Sequence, residues 1–140
     1  MNILITGSNG FLGKNLAISL MRDERFNIYT LSDKENFDEL GPIQELDTII
    51  HLAGVNRSDV HSDFHSGNVE LTENLLNYFE EKQIFPSIIF SSTKHIDRGD
   101  HYGNSKKLAE KLIENFCNKN SKIFSILRFP NLYGKWSKPH

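Results

Sequence analysis

Five short apolar runs, separated by longer polar stretches, limit the architectures open to this 140-residue chain. They are Asn2 to Thr6, Asn27 to Leu31, Thr48 to Leu52, Ser87 to Ser91 and Lys122 to Phe129, rich in Ile, Leu and Phe with little alternation. A strand with one wet face alternates apolar and polar residues. A strand covered on both faces does not, and such strands occur mostly in parallel sheets flanked by helices. The intervals supply the helices. Gly10 to Arg22 sets Leu12, Leu16 and Leu20 on an apolar side; Asn68 to Lys82 repeats Val69, Thr72, Leu76 and Phe79 at helical spacing; Tyr102 to Asn118 carries Leu108, Leu112, Ile113 and Phe116. The interval from Ser32 to Leu46 is broken by Gly41-Pro42 and reads as a loop holding one helical turn. Strand, helix and strand repeated in this way imply βαβ units with right-handed crossovers. The expected fold class is α/β, a doubly wound, Rossmann-like parallel sheet of five strands.

A chain of this length builds one compact core, not two. The closing stretch, Asn131 to His140 (NLYGKWSKPH), has no helical period and reads as a loop leading onward, which would make the domain incomplete. The alternative is a tail that folds back. Charged residues make up 24% and the net charge is −2, so no general attraction to nucleic acid or to an anionic membrane is expected. The single cysteine, Cys117, excludes an internal disulfide and fits a reducing compartment. No apolar run approaches the length of a membrane span, and the N-terminus enters a strand-like run at once, so the expected location is the cytoplasm.

Four local patterns carry chemistry. Gly7-Ser8-Asn9-Gly10-Phe11-Leu12-Gly13 follows the first strand and opens the first helix. Gly7 permits a tight turn, Gly10 lets the backbone approach a pyrophosphate, and Gly13 lets the helix sit close to the sheet. The helix start meanwhile offers unpaired N–H groups and a positive dipole end. Such a loop binds a dinucleotide. About twenty residues on, Asp33 and Lys34 end the second strand; an acid there favours the free ribose of NAD, a base the phosphate of NADP, and the two neighbours point opposite ways. Tyr102 and Lys106 stand four apart on a helix and share a face. An ammonium beside a phenol, aided by a cationic nicotinamide, favours the phenolate and lowers its pKa from about 10, which suits a tyrosine that shuttles a proton to or from a carbonyl. Ser91-Ser92-Thr93 closes the fourth strand at the carboxyl edge, where open α/β sheets bind ligands, and a hydroxyl there can hydrogen-bond a substrate oxygen.

Taken in order, these patterns resemble the extended short-chain dehydrogenase/reductase family of nucleotide-sugar epimerases, dehydratases and reductases. The matching residues are Thr6-Gly7-x-x-Gly10-x-x-Gly13, His51-Leu52-Ala53-Gly54, Asn68, Ser91-Ser92-Thr93, Tyr102-x-x-x-Lys106 and Arg128-x-Pro130-Asn131-x-Tyr133-Gly134. The resemblance implies one NAD(P)-binding domain over residues 1–140, with the substrate subdomain absent. It implies catalytic roles for Thr93, Tyr102 and Lys106. Cofactor contacts are implied from Gly7, Asn9, Gly10, Phe11, Leu12, Gly13, Asp33 or Lys34, Leu52, Ala53, Gly54, Tyr102 and Lys106. Asn131 would face a UDP-sugar. A narrower likeness is carried by His51-Leu-Ala-Gly-Val-Asn-Arg57, by the nine residues from Thr93 to Tyr102, and by Arg128-Phe-Pro-Asn-Leu-Tyr-Gly-Lys-Trp136 with Lys138-Pro139. These resemble the capsular-polysaccharide reductases of the UDP-N-acetyl-L-fucosamine pathway, which implies reduction of a 4-keto, 6-deoxy UDP-amino sugar with NADPH. Asp33 departs from that pattern, leaving NAD and NADP both open. Dehydratases of the family follow the threonine with Asp-Glu; here Lys94 and His95 follow Thr93, which disfavours dehydration. A 4-epimerase and a non-catalytic dinucleotide-binding fragment are the other readings.

The remaining features read blandly. His61 and His65 are four apart but lack a convincing third ligand, so no metal is expected. His95 and His101 are expected in an exposed loop, Cys117 as packing, and Glu110-Lys111 on a solvated helix face. An uncovered sheet edge would leave room for a homodimer.

Overall fold

The computed structural model describes residues 1–32 and 36–136. Its sheet has five parallel strands: β1 (Asn2–Thr6), β2 (Asn27–Leu31), β3 (Thr48–His51), β4 (Ser87–Thr93) and β5 (Phe124–Phe129), in the order β2-β1-β3-β4-β5. The helices are α1 (Phe11–Leu20), α2 (His61–Phe64), α3 (Leu71–Glu81) and α4 (His101–Lys119). A π-helical turn, His65–Glu70, joins α2 to α3, and a 3-10 turn, Phe37–Leu40, follows β2. This is the doubly wound, Rossmann-like sheet expected from the apolar runs. The chain leaves β1 toward β2 and then returns to place β3 on the other side of β1. Every strand ends at the same edge, and open sheets of this kind take their ligands at that switch point.

Two apolar layers hold the sheet. On one face Leu4, Ile49, Ile88 and Phe90 meet Leu75, Leu76 and Phe79 of α3 and Ala109, Ile113, Phe116 and Cys117 of α4. On the other, Ile3, Ile5 and Ile50 meet Ala17 of α1, with Leu16 and Leu20 beside it. Central strands β1 and β3 are covered on both sides, which is why they read as unbroken apolar runs; β5 lies at the edge and alternates in exposure. Residues 134–136 turn back over α1, where Asn15 donates to the Lys135 carbonyl at 3.0 Å and the Phe11 ring lies against Gly134. Among the described residues no helix is long and apolar enough to cross a membrane.

Candidate active site

The carboxyl edge gathers the residues singled out above, and short-range packing explains how. Gly7 has φ +67°, and a Cβ there would lie 2.7 Å from the Ala53 amide nitrogen; one on Gly13 would lie 2.2 Å from the Gly7 carbonyl oxygen. The absence of both side chains lets the β1–α1 turn sit directly on the loop after β3 and lets α1 start directly on that turn. Gly10 caps α1 without a side-chain hydrogen bond, and the first turn holds no acidic residue, so its N–H groups and the positive end of the helix dipole face outward. Asn9 and Gly10 are exposed there, with Phe11 and Leu12 half-buried behind them. This bare, uncapped helix start is suited to a diphosphate. Asp33 and Lys34, the residues expected to choose between NAD and NADP, lie outside the described residues.

A chain of hydrogen bonds fixes the loop from Leu52 to Val55. The Thr6 hydroxyl accepts from the amides of Leu52 and Ala53, both at 3.2 Å, and donates to His51 Nδ1 at 2.7 Å. His51 Nε2 then donates to the Thr72 hydroxyl at 3.0 Å, which donates to the Asn68 carbonyl at 2.6 Å. These directions require a neutral imidazole with its proton on Nε2. Burial, reinforced by the nearby Lys106 charge, pushes the His51 pKa down from 6.5 to about 3. The Asn68 side chain completes the loop: Oδ1 accepts from Val55 N at 2.9 Å, and Nδ2 donates to the Val55 carbonyl at 2.8 Å and to Ser105 Oγ on α4 at 2.9 Å. The π-turn puts Asn68 there, an extra residue in the helix that turns a polar side chain inward. Sequence reasoning matched Asn68 to the family without giving it this work.

Thr93 and Tyr102 lie together at this edge, and Lys106 follows one turn further along α4. Thr93 is buried at the end of β4, and its Oγ1 accepts the His95 amide at 3.2 Å, leaving its proton to donate. Asp100 caps α4, accepting from Gly103 N at 2.6 Å, so that Tyr102 emerges in the first turn toward Thr93. The Tyr102 phenol is half-buried, 6.0 Å from the Phe64 ring. Burial raises its pKa above 10, with the Thr93 hydroxyl pulling it back and Asp100 adding to the rise. Lys106 is 5% exposed, its Nζ 4.2 Å from the centre of the Phe90 ring and close to Gly54. Burial brings its pKa from 10.5 down to about 7, against the pull of the Glu110 carboxylate. The depressed phenol expected from the sequence is therefore not found in the isolated chain. Burial penalises both charged forms, and the ammonium lies over Phe90.

Two placements correct the sequence reading. Glu110 is not on a solvated face: it is 8% exposed, accepting from Ser92 Oγ and, through both oxygens, from Arg128 at 3.0 and 2.7 Å. His101 opens α4 instead of lying in a loop, its ring 4.0 Å from that of His61. Asn131 follows β5 at the same edge and is exposed. Among the described residues no cluster of three or more potential metal ligands occurs.

Comparison with known proteins agrees with this geometry. The model of the NAD dependent epimerase/dehydratase family matches residues 3–140. A curated relative, the UDP-2-acetamido-2,6-beta-L-arabino-hexul-4-ose reductase of Pseudomonas aeruginosa, is 32% identical over all of this chain and 38% of its own length. The crystal structure of the capsular polysaccharide assembling protein CapF from Staphylococcus aureus superposes with a TM-score of 0.79 at 35% identity, covering 99% of this chain and 38% of that one. The UDP-N-acetylglucosamine 4-epimerase of Bacillus cereus superposes with a TM-score of 0.81 at 26% identity, over 100% of this chain and 61% of that one. The chain thus spans about two fifths of the length of the reductase it matches.

Proposed function

We propose that this chain, which belongs to the NAD dependent epimerase/dehydratase family, binds a nicotinamide dinucleotide across its carboxyl edge and serves the reduction of the C4 keto group of a 6-deoxy UDP-amino sugar. The observation that carries the reading is the convergence, at one sheet edge, of an uncapped helix start, a glycine-lined loop and the Thr93, Tyr102, Lys106 group. The helix start would hold the pyrophosphate, with Gly7, Asn9, Gly10, Phe11, Leu12 and Gly13 around it. Leu52, Ala53 and Gly54 would line the nicotinamide half, and Lys106 would hold its ribose. When bound, the reduced cofactor supplies the hydride.

The chain's own groups handle the oxygen and its proton. Thr93 has committed a lone pair to His95 N–H, so its hydroxyl proton is available to the substrate oxygen. Tyr102, with its pKa raised, carries its proton at neutral pH, as a proton donor to a reduced carbonyl must. The phenolate left behind would be stabilised by the positive charge of Lys106. Asn131, beyond β5, would meet the nucleotide-sugar. The reductase reading is favoured over the 4-epimerase by the 32% identity to a 4-ulose reductase. It places the protein in surface-polysaccharide assembly in the cytoplasm, acting with a substrate-binding subdomain.

The test is loss of reduced-nicotinamide absorbance when the protein meets NADPH or NADH and a UDP-2-acetamido-2,6-dideoxy-4-ulose. Turnover that Tyr102→Phe removes without weakening cofactor binding supports the reading. Turnover unaffected by Tyr102→Phe would refute the assignment of the proton donor.

A further inference from the structure

Glu110 lies outside the groups assigned above, yet with Lys106 it is one of the few buried charges among the described residues. It stands one turn after Lys106 and two after Tyr102, on the same side of α4. Its carboxylate is held from the sheet: Ser92 on β4 donates to Oε1, and Arg128 on β5 donates bidentately, Nε to Oε1 at 3.0 Å and Nη2 to Oε2 at 2.7 Å. Ser92 and Arg128 are direct neighbours across the β4–β5 ladder. The next pair in that ladder is Thr93 and Phe129, so the clamp closes one residue before the catalytic hydroxyl and three before Asn131. It joins the helix that carries Tyr102 and Lys106 to the strand that carries Thr93 and to the strand that leads to the substrate side.

We propose that Glu110 is a positioning residue, whose clamped carboxylate fixes α4 against β4 and β5 and supports the Lys106 ammonium in register behind Tyr102. The inference rests on the reading of Thr93, Tyr102 and Lys106 given above. A fixed negative charge one turn away is the partner a buried ammonium needs, and it supports the cation against burial. Among the described residues His51 on β3 also interacts with Lys106, and burial holds it neutral. Arg128 orients Glu110 through the bidentate pair, with half of its own side chain in water.

The experiment is a pH titration of the Lys106 side chain by NMR of the cofactor-free protein, using lysine labelled at the ε-carbon and Lys106→Arg to assign the signal. Glu110→Gln is expected to lower the Lys106 midpoint by about one pH unit, a tenfold weakening of its proton affinity, while Glu110→Asp retains most of the original value. A midpoint unmoved in a folded Glu110→Gln protein would overturn the proposal, whatever the enzyme's activity. A triple variant, Ser92→Ala with Glu110→Met and Arg128→Met, replaces the clamp by apolar packing and guards against simple unfolding. If its thermal stability is restored but the Lys106 midpoint stays low, the charge is what matters. A midpoint restored along with stability would show a merely structural role and refute the proposal. Failure of the reductase reading would instead appear as absent turnover by the wild-type protein while Glu110→Gln still lowers the Lys106 midpoint.

Discussion

Replacing Lys106 by methionine should make the protein more stable while removing its function. Lys106 is buried beneath Phe90, and its pKa falls from 10.5 to about 7. An unfolded lysine keeps its proton up to about pH 10.4, whereas the folded one releases it near 7. Between those values unfolding takes up a proton, so stability rises with pH across that window and the full penalty remains below it. At 1.36 kcal/mol per pH unit the penalty at neutral pH is about 5 kcal/mol. Methionine fills much of the same volume without a charge, but forfeits a buried cation–π contact of about 2 kcal/mol, leaving a net gain of about 3 kcal/mol. Urea unfolding followed by circular dichroism, from about pH 6 to about pH 8.5, below the range where the raised Cys117 thiol adds a slope of opposite sign, reads both the gain and its slope. The wild-type protein should stabilise as pH rises through this range, and Lys106→Met should lack that rise. A variant less stable than wild type at neutral pH, or a flat wild-type curve, would refute the electrostatic account of this site.

Three further outcomes follow from the packing. Gly13→Ala puts a Cβ within 2.2 Å of the Gly7 carbonyl and should cost about 2 kcal/mol or more in urea unfolding, since helix and turn are both backbone-bound there; an unchanged midpoint would show that α1 can shift. Asn68→Leu strips three hydrogen bonds from the Val55 backbone and Ser105 and should destabilise by about 3 kcal/mol, with faster amide exchange in the loop after β3. Nitrogen chemical shifts of His51 should report a neutral Nε2–H ring down to about pH 5. Its folded pKa is near 3 against 6.5 unfolded, so the stability it supports is complete above about 6.5 and declines as pH falls below that value. A His51 midpoint near 6.5 in the folded protein would contradict the buried network.

The bounds of β1 and β2 were legible to the residue, because runs such as NILIT have no polar face to spare. The apolar run of β4 stops at Ser91, and its end at Thr93 was read from the hydroxyl residues that close the strand. Ser92 and Thr93 are polar, and the ladder to Arg128 and Phe129 makes them strand. The helix leading to Asn68 begins seven residues before it, at His61, through a segment, HSDFHSG, that carries no apolar period. Tertiary bonds to Val55, invisible in local pattern, give its π-turn a purpose. The clustering of Thr93, Tyr102 and Lys106 was readable, since each stands at a carboxyl edge or on a helix rising from it. Glu110 was misread because charge usually means solvent. Its spacing along Lys106, Glu110, Ile113 and Cys117 was the available signal, for it sits within the buried stripe of α4.

The central claim, a dinucleotide site built by the β1–α1 turn and the loop after β3, is tested most directly by titrating the protein with NADH and NADPH while following nicotinamide fluorescence. Gly10→Asp places a carboxylate at the uncapped start of α1, where the pyrophosphate would lie. Saturable binding to wild type that Gly10→Asp abolishes, with the fold unchanged by circular dichroism, is the expected result, and the preferred cofactor then reports the balance of Asp33 and Lys34. Binding of neither cofactor by a folded wild-type protein, or equal binding by Gly10→Asp, would contradict it.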